Sequence, residues 1–175
     1  YITGSLHGYS TCCGKIFLMK VSPTGDSLWT KTYALGIGFS LTLTSDGGIA
    51  IGGTIQETSN QDIIILKTDA AGNLLWSKTY GGEGYEYGAM LVETADAGLA
   101  ITGITTTPGN NYDDIYLIRT NSNGDRIWSK TYGGDKTDQG FGLVRNSSNG
   151  FKITGLSNSG GSYIFLIQTD SEGNE

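Results

Sequence analysis

The chain is poor in the residues that most often betray a chemistry. It has one histidine, His7, and two cysteines, the adjacent pair Cys12-Cys13. A Ser-His-Asp set needs a histidine held beside its nucleophile, and a lone histidine in a terminal loop gives no basis for assembling one. A structural zinc site takes four ligands; His7, Cys12 and Cys13 supply three, and adjacent cysteines are poorly spaced for one ion. The pair has three open states: a strained vicinal disulfide, a bond to another chain, or free thiols. Its spacing decides neither among them nor for a redox compartment.

Positive charge is also scarce. Lysine and arginine total 11 against 17 aspartates and glutamates, a net charge of −6 with no basic cluster. That argues against nucleic acid and anionic membrane surfaces as partners. No apolar run approaches the ~20 residues of a membrane span. No signal peptide is visible, and the chain opens inside a strand-like stretch, Tyr1-Ile2-Thr3-Gly4, so the expectation is that the natural N-terminus lies elsewhere. Only two prolines are present, which leaves almost no room for a Pro-rich linker.

Glycine, by contrast, numbers 28, and it is periodic. Residues 62–82 read DIIILKTDAAGNLLWSKTYGG. They return almost intact at 114–134 as DIYLIRTNSNGDRIWSKTYGG, appear more divergently at 15–33 as KIFLMKVSPTGDSLWTKTY, and start again at Tyr163. The turn glycines Gly25, Gly72, Gly124 and Gly173 are spaced by 47, 52 and 49 residues. Each turn begins with Ser, Asp or Asn, whose short side chain bonds the turn backbone, and ends on a glycine suited to the positive φ of a hairpin bulge. The alternating oxygen ligands of a Ca²⁺ loop are missing. The flanking runs, such as Ile63-Ile64-Ile65-Leu66, are short, β-branched and apolar on both faces, which predicts strands covered on both sides.

The spacing predicts four strands per repeat and fourteen in all, at 1–5, 15–21, 27–33, 39–44, 49–54, 62–68, 74–80, 88–94, 99–105, 114–120, 126–132, 140–146, 151–156 and 163–169. About 50 residues with four strands is the size of a propeller blade. The expected fold is therefore all-β, a β-propeller of four-stranded antiparallel blades with about 3.5 blades present. The divisions are a partial blade at 1–33, blades at 34–80 and 81–132, and a partial blade at 133–175. Propellers close with about four to eight blades, so the expectation is a partial ring. Either a longer chain of roughly 350–400 residues, at ~50 per blade, or neighbouring subunits would supply the rest.

The stretches Gly-Gly-Ile-Ala-Ile-Gly-Gly, Asp-Ile-Ile-Ile-Leu-Lys-Thr-Asp and Gly-Asn-Leu-Leu-Trp-Ser-Lys-Thr-Tyr-Gly-Gly resemble repeats of secreted bacterial and archaeal β-propeller proteins, similar to quinoprotein-like, Kelch and WD40-type blades. The Asp–turn–Gly–Xaa–Leu–Trp order is similar to the tryptophan-docking motif of quinoprotein propellers. The resemblance implies an extracellular or cell-surface domain. It carries no catalytic residue and no cofactor to this chain, because the cofactor-binding residues of quinoprotein enzymes have no match here.

Side chains alternate along a strand, so Trp29, Trp76 and Trp128 share a face with Lys31, Lys78 and Lys130 and with Tyr33, Tyr80 and Tyr132. That face is either a sugar-stacking platform or a staple between blades; its presence in every repeat favours the staple. Ligand binding is expected on the loops that vary in length. They carry Glu83, Tyr85, Glu86 and Tyr87, then Asn111, Tyr112 and Asp113, then Asp135 and Asp138. Glu83 with Glu86, or Asp135 with Asp138, has the chemistry to hold a hard cation. The equivalent first loop, residues 34–38, has no acid, so the plainer reading is solvated carboxylates and no metal. Asn146-Ser147-Ser148 is an N-glycosylation sequon.

Two function classes follow: a non-catalytic surface module that scaffolds, adheres, or binds a glycan or protein, and a fragment of a propeller hydrolase or lyase. Paired carboxylates across blades are invisible in sequence, which keeps the second open. A third reading is structural, with unfinished blades completed by strand addition.

Overall fold

The structure, a computed structural model, describes residues 1–6, 14–57, 60–106, 112–158 and 163–175. His7, Cys12, Cys13 and Asn111 lie outside the described residues.

The chain is all-β. Among the described residues fourteen strands, β1 (Ile2–Leu6), β2 (Lys15–Val21), β3 (Ser27–Leu35), β4 (Ile37–Leu43), β5 (Ile49–Glu57), β6 (Asn60–Thr68), β7 (Leu74–Tyr80), β8 (Tyr85–Glu93), β9 (Leu99–Thr106), β10 (Asp114–Thr120), β11 (Arg126–Tyr132), β12 (Asp138–Arg145), β13 (Phe151–Ser157) and β14 (Tyr163–Gln168), follow one another. They form four antiparallel meanders, β1-β2-β3, β4-β5-β6-β7, β8-β9-β10-β11 and β12-β13-β14.

The turn chemistry explains the hairpins. In the turns β2–β3, β6–β7 and β10–β11 the fourth residue, Gly25, Gly72 or Gly124, adopts a φ of 90°, 76° or 78°. The first residue's side chain accepts two turn amides: Asp69 Oδ1 takes Ala71 N at 2.9 Å and Asn73 N at 2.8 Å, and Asn121 Oδ1 repeats this at 2.9 Å for both Asn123 and Asp125. Asp170 does the same after β14, where Gly173 has a φ of 77°. The ladder shifts register at each hairpin, between Lys20 and Val21, Lys67 and Thr68, and Arg119 and Thr120. A left-handed residue closing a hairpin produces that bulge.

The sheets pack face to face in chain order, and three apolar clusters fill the gaps. Ile16 and Leu18 of β2 meet Ile49, Ile51, Ile64 and Leu66 of the second sheet. Ile63 and Ile65 meet Leu91, Leu99, Ile101 and Ile118 of the third. Ile115 and Leu117 meet Leu143, Phe151 and Ile153 of the fourth. Alternate residues of each middle strand thus serve opposite interfaces, which is why residues 63–66 and 115–118 are apolar without interruption.

Strand placement departs from expectation at the strands that open sheets two to four. β4, β8 and β12 begin two or three residues before the predicted starts at 39, 88 and 140. Each contains a bulge, at Gly38/Ser40, Gly88/Leu91 and Gly140/Gly142, so the alternation that a sequence pattern relies on breaks there.

Candidate functional site

The face carrying the variable loops is built on β4, β8 and β12. Their bulges eject apolar residues: Phe39, the Ala89-Met90 pair and Phe141. Phe39 is 50% exposed, Phe141 47%, Met90 38% and Tyr87 39%. Together with Ile104 they border an open cleft of about 360 Å³. A cleft of that size is within the range of ligand pockets. Tyr87 is among the residues expected on the variable loops, whereas Phe39, Met90, Ile104 and Phe141 are not; an apolar residue placed directly after a strand glycine, as in Gly38-Phe39 and Gly140-Phe141, is the signal that marks the two phenylalanines.

The acids of the same face are placed differently from one another. Glu83 and Asp135 are exposed. Glu86 is buried: its Oε2 accepts Gly82 N at 3.0 Å and its Oε1 accepts the Thr105 hydroxyl at 2.9 Å. Asp138 is buried in the equivalent place and accepts Gly134 N at 3.2 Å. Both carboxylates therefore hold the second glycine of the pair that leaves the preceding sheet. Asp113 accepts Thr106 Oγ1 at 2.7 Å and Gln139 Nε2 at 2.9 Å. The Asp114 carboxyl is pushed up, mainly by burial and then by the charges of Asp138 and Asp113. Among the described residues, no group of three or more His, Cys, Asp or Glu is placed to hold a metal ion. Tyr85 is exposed, and Tyr112 lies under the ammonium of Lys136, 5.1 Å from its ring centre.

The Trp–Lys–Tyr faces lie on the other end of the sheets, between neighbours. Each joins one sheet's last strand to the next sheet's glycine turn. Tyr33 donates its hydroxyl to Gly72 O at 2.8 Å, Tyr80 to Gly124 O at 2.7 Å and Tyr132 to Gly173 O at 2.7 Å. Lys31 reaches Asn73 Oδ1 at 2.7 Å, Lys78 pairs with Asp125, and Lys130 reaches Asn174 Oδ1 at 3.3 Å. The indoles cover the turn glycines. A Cβ built on Gly72 would stand 2.7 Å from Trp29 Cη2, on Gly124 2.7 Å from Trp76 Cζ3, and on Gly173 2.9 Å from Trp128 Cη2. Burial raises all three tyrosines, with nearby acids adding to it, and pushes Tyr132 up to about 12.

The short turns between β4 and β5 and between β8 and β9 carry a second device. Lys67, almost fully buried, reaches Asp46 Oδ2 at 2.9 Å, and Arg119 pairs with Asp96 in the same way. Asp46 is held down to about 2, first by the Thr44 hydroxyl, then by Lys67 and by Gly48 N. The sequon's Asn146 is half-buried in the equivalent turn. Its Nδ2, the atom a glycan would occupy, donates to Thr169 O at 3.1 Å, and its Oδ1 accepts Ser148 N and Gly150 N at 2.9 Å.

No protein-family model and no curated protein matches the chain.

Proposed function

We propose that the chain is a run of about three and a half blades of an extracellular or cell-surface β-propeller, acting as a non-catalytic scaffold that binds a protein or glycan on its variable-loop face. The observation that carries this reading is the division of labour on that face. Phe39, Met90, Tyr87 and Phe141 are presented to solvent around one cleft, whereas Glu86, Asp113 and Asp138 are consumed in hydrogen bonds that hold the loops. A carboxylate working as nucleophile or general acid must face its substrate; these face their own loops. An exposed apolar cleft edged by Phe39, Tyr87 and Phe141 has the composition of a contact surface.

The wall of Met90 and Ile104 favours an apolar anchor from a protein ligand over a glycan, which stacks on flat aromatic faces beside polar groups. No cofactor belongs to this reading. Its other partners are the remaining blades of a longer chain or neighbouring subunits.

The test is a peptide-display selection and a glycan array run in parallel, with Phe141→Ser and Met90→Ser as cleft variants and a hydrolase panel as the competing arm. A ligand retained by the wild type and lost by both folded cleft variants is expected. Turnover of a glycoside or ester that disappears in Glu86→Gln would overturn the proposal.

A further inference from the structure

Of the four turns that close on Gly25, Gly72, Gly124 and Gly173, three are covered by a tryptophan and one is open among the described residues. Gly72, Gly124 and Gly173 each lie beneath the tryptophan of the preceding sheet. Gly25 has the same left-handed backbone, φ 90°, and the same hydrogen-bonded frame: Gly25 N donates to Ser22 O at 3.0 Å, and Ser22 Oγ accepts the amides of Thr24 and Asp26 at 3.2 and 3.1 Å. Yet a Cβ built there meets nothing within 4 Å among the described residues. Asp26 occupies the position that holds the lysine in the other turns, as Asp125 holds Lys78.

The sheet face behind this turn is short of cover too. Phe17 and Met19 are half-buried, whereas their equivalents Ile64 and Leu66 are 2% and 1% exposed, sealed by the sheet before them.

We infer that the turn at residues 22–26, with the Phe17–Met19 face, is a docking site for an outer strand of a further repeat carrying Trp-Xaa-Lys-Xaa-Tyr. The indole covers Gly25, the ammonium meets the Asp26 carboxylate, and the tyrosine hydroxyl donates to Gly25 O. The partner's chemistry is fixed by the three filled interfaces of this same chain. The strand comes from outside residues 1–175, because Trp29, Trp76 and Trp128 are already seated on Gly72, Gly124 and Gly173. The inference rests on reading the four sheets as successive repeat units.

The probe is a synthetic peptide with the sequence of residues 124–134, GDRIWSKTYGG, titrated into the 175-residue protein and followed by backbone-amide NMR shifts and peptide fluorescence anisotropy. Saturable binding is expected, with shifts centred on residues 17–26. The peptide carrying Trp128→Ala should bind at least about tenfold more weakly, the loss typical of a central aromatic anchor. Asp26→Lys in the protein should weaken the parent peptide and be restored by the peptide carrying Lys130→Glu. That swap alters an exposed carboxylate and leaves the strained glycine untouched, so it does not depend on a turn variant folding.

No saturable binding, binding indifferent to Trp128→Ala, or shifts confined to the free edge of β14 would overturn the inference. So would self-association of the wild type that Asp26→Lys abolishes, which would make a second copy the occupant. The repeat reading fails separately: it falls if Trp76→Ala and Trp128→Ala leave thermal stability unchanged, whatever the peptide does.

Discussion

Replacing Gly25 and Gly124 each by alanine gives a matched pair that isolates the worth of the inter-sheet seat. Both residues sit in the left-handed region, at φ 90° and 78°, so both substitutions carry the same backbone cost, roughly 1–2 kcal/mol for an L-residue held there. At Gly25 the new methyl enters open space, and that is the whole cost. At Gly124 it would lie 2.7 Å from Trp76 Cζ3, 2.8 Å from Cη2 and 3.1 Å from Lys78 Cδ. Those distances are inside van der Waals contact, so the indole must lift or the sheets must part. Overpacking of this kind costs about 1–3 kcal/mol in addition. Gly124→Ala should therefore destabilise by about 2–5 kcal/mol, and Gly25→Ala by no more than about 2. For a chain of this size each kcal/mol moves the melting temperature by about 2–4 °C, so the two variants should be separated by several degrees.

The assay is thermal unfolding of the 175-residue protein, followed by far-ultraviolet circular dichroism and by tryptophan fluorescence. Adding Trp76→Ala to each variant completes the cycle. Trp76→Ala alone removes a large half-buried ring and should cost about 3 kcal/mol. In its presence the extra penalty of Gly124→Ala should vanish, while that of Gly25→Ala should be unchanged. If the two alanine variants melted together, or if removing Trp76 failed to relieve Gly124→Ala, then the indole would not be seated on the turn and the packing argument would be refuted.

Four further outcomes follow from the same geometry. Ala97 is held at φ 60° in the turn where the second sheet has Gly47 at φ 81°, so Ala97→Gly should stabilise by about 1 kcal/mol in chemical denaturation, relief of strain outweighing the added unfolded-state entropy. The Asp46 carboxyl is depressed in the fold to about 2; its contribution is complete above the ordinary carboxylate range near pH 4 and is lost as pH falls toward 2. Because its side chain is 59% exposed, that contribution is at most about 1 kcal/mol, and acid melts of Asp46→Asn should lack this portion of the slope. Tyr132 is raised to about 12, so its seat is intact below about pH 10 and is lost as pH rises through 12; Tyr132→Phe should lose about 1 kcal/mol at neutral pH with the Gly173 carbonyl left without its donor, and flatten the alkaline limb. Glu86→Gln should loosen the Gly81-Gly82 loop and cost about 1–3 kcal/mol by spoiling a buried pair of accepted hydrogen bonds, with faster amide exchange at Gly82 as the local readout.

The hairpins were legible in the sequence because their determinants are local. Ser22, Asp69, Asn121 and Asp170 bond amides within four residues of themselves, and the glycine that follows needs no partner elsewhere to adopt its φ. The strands β2, β10 and β11 consequently start and stop where the pattern predicts. The unbroken apolar run at residues 63–66 also spoke for itself, since only a strand sandwiched between two sheets buries Ile63 and Ile64 equally. The cleft was not legible, and the reason is the bulge. Period-two reasoning assigns each residue to a face by counting, and a bulge at Gly38, Gly88 or Gly140 makes the count fail from that residue onward. The residue that the bulge ejects is the very one that lines the cleft, so a site built from Phe39, Met90 and Phe141 is invisible to an argument that assumes unbroken alternation. The acids erred in the opposite direction. Glu86 and Asp138 stand at the starts of β8 and β12, just after polar, glycine-rich loops where a carboxylate is expected to face water, but each accepts the amide of the glycine four residues before it, Gly82 or Gly134. A backbone amide is an obligatory donor, and in both places a buried carboxylate serves it. The glycine pairs at 81–82 and 133–134 were thus the cue: in this chain a doubled glycine a few residues before an acid marks a loop that fastens itself through that acid, while Phe39, Tyr87 and Phe141 stay exposed.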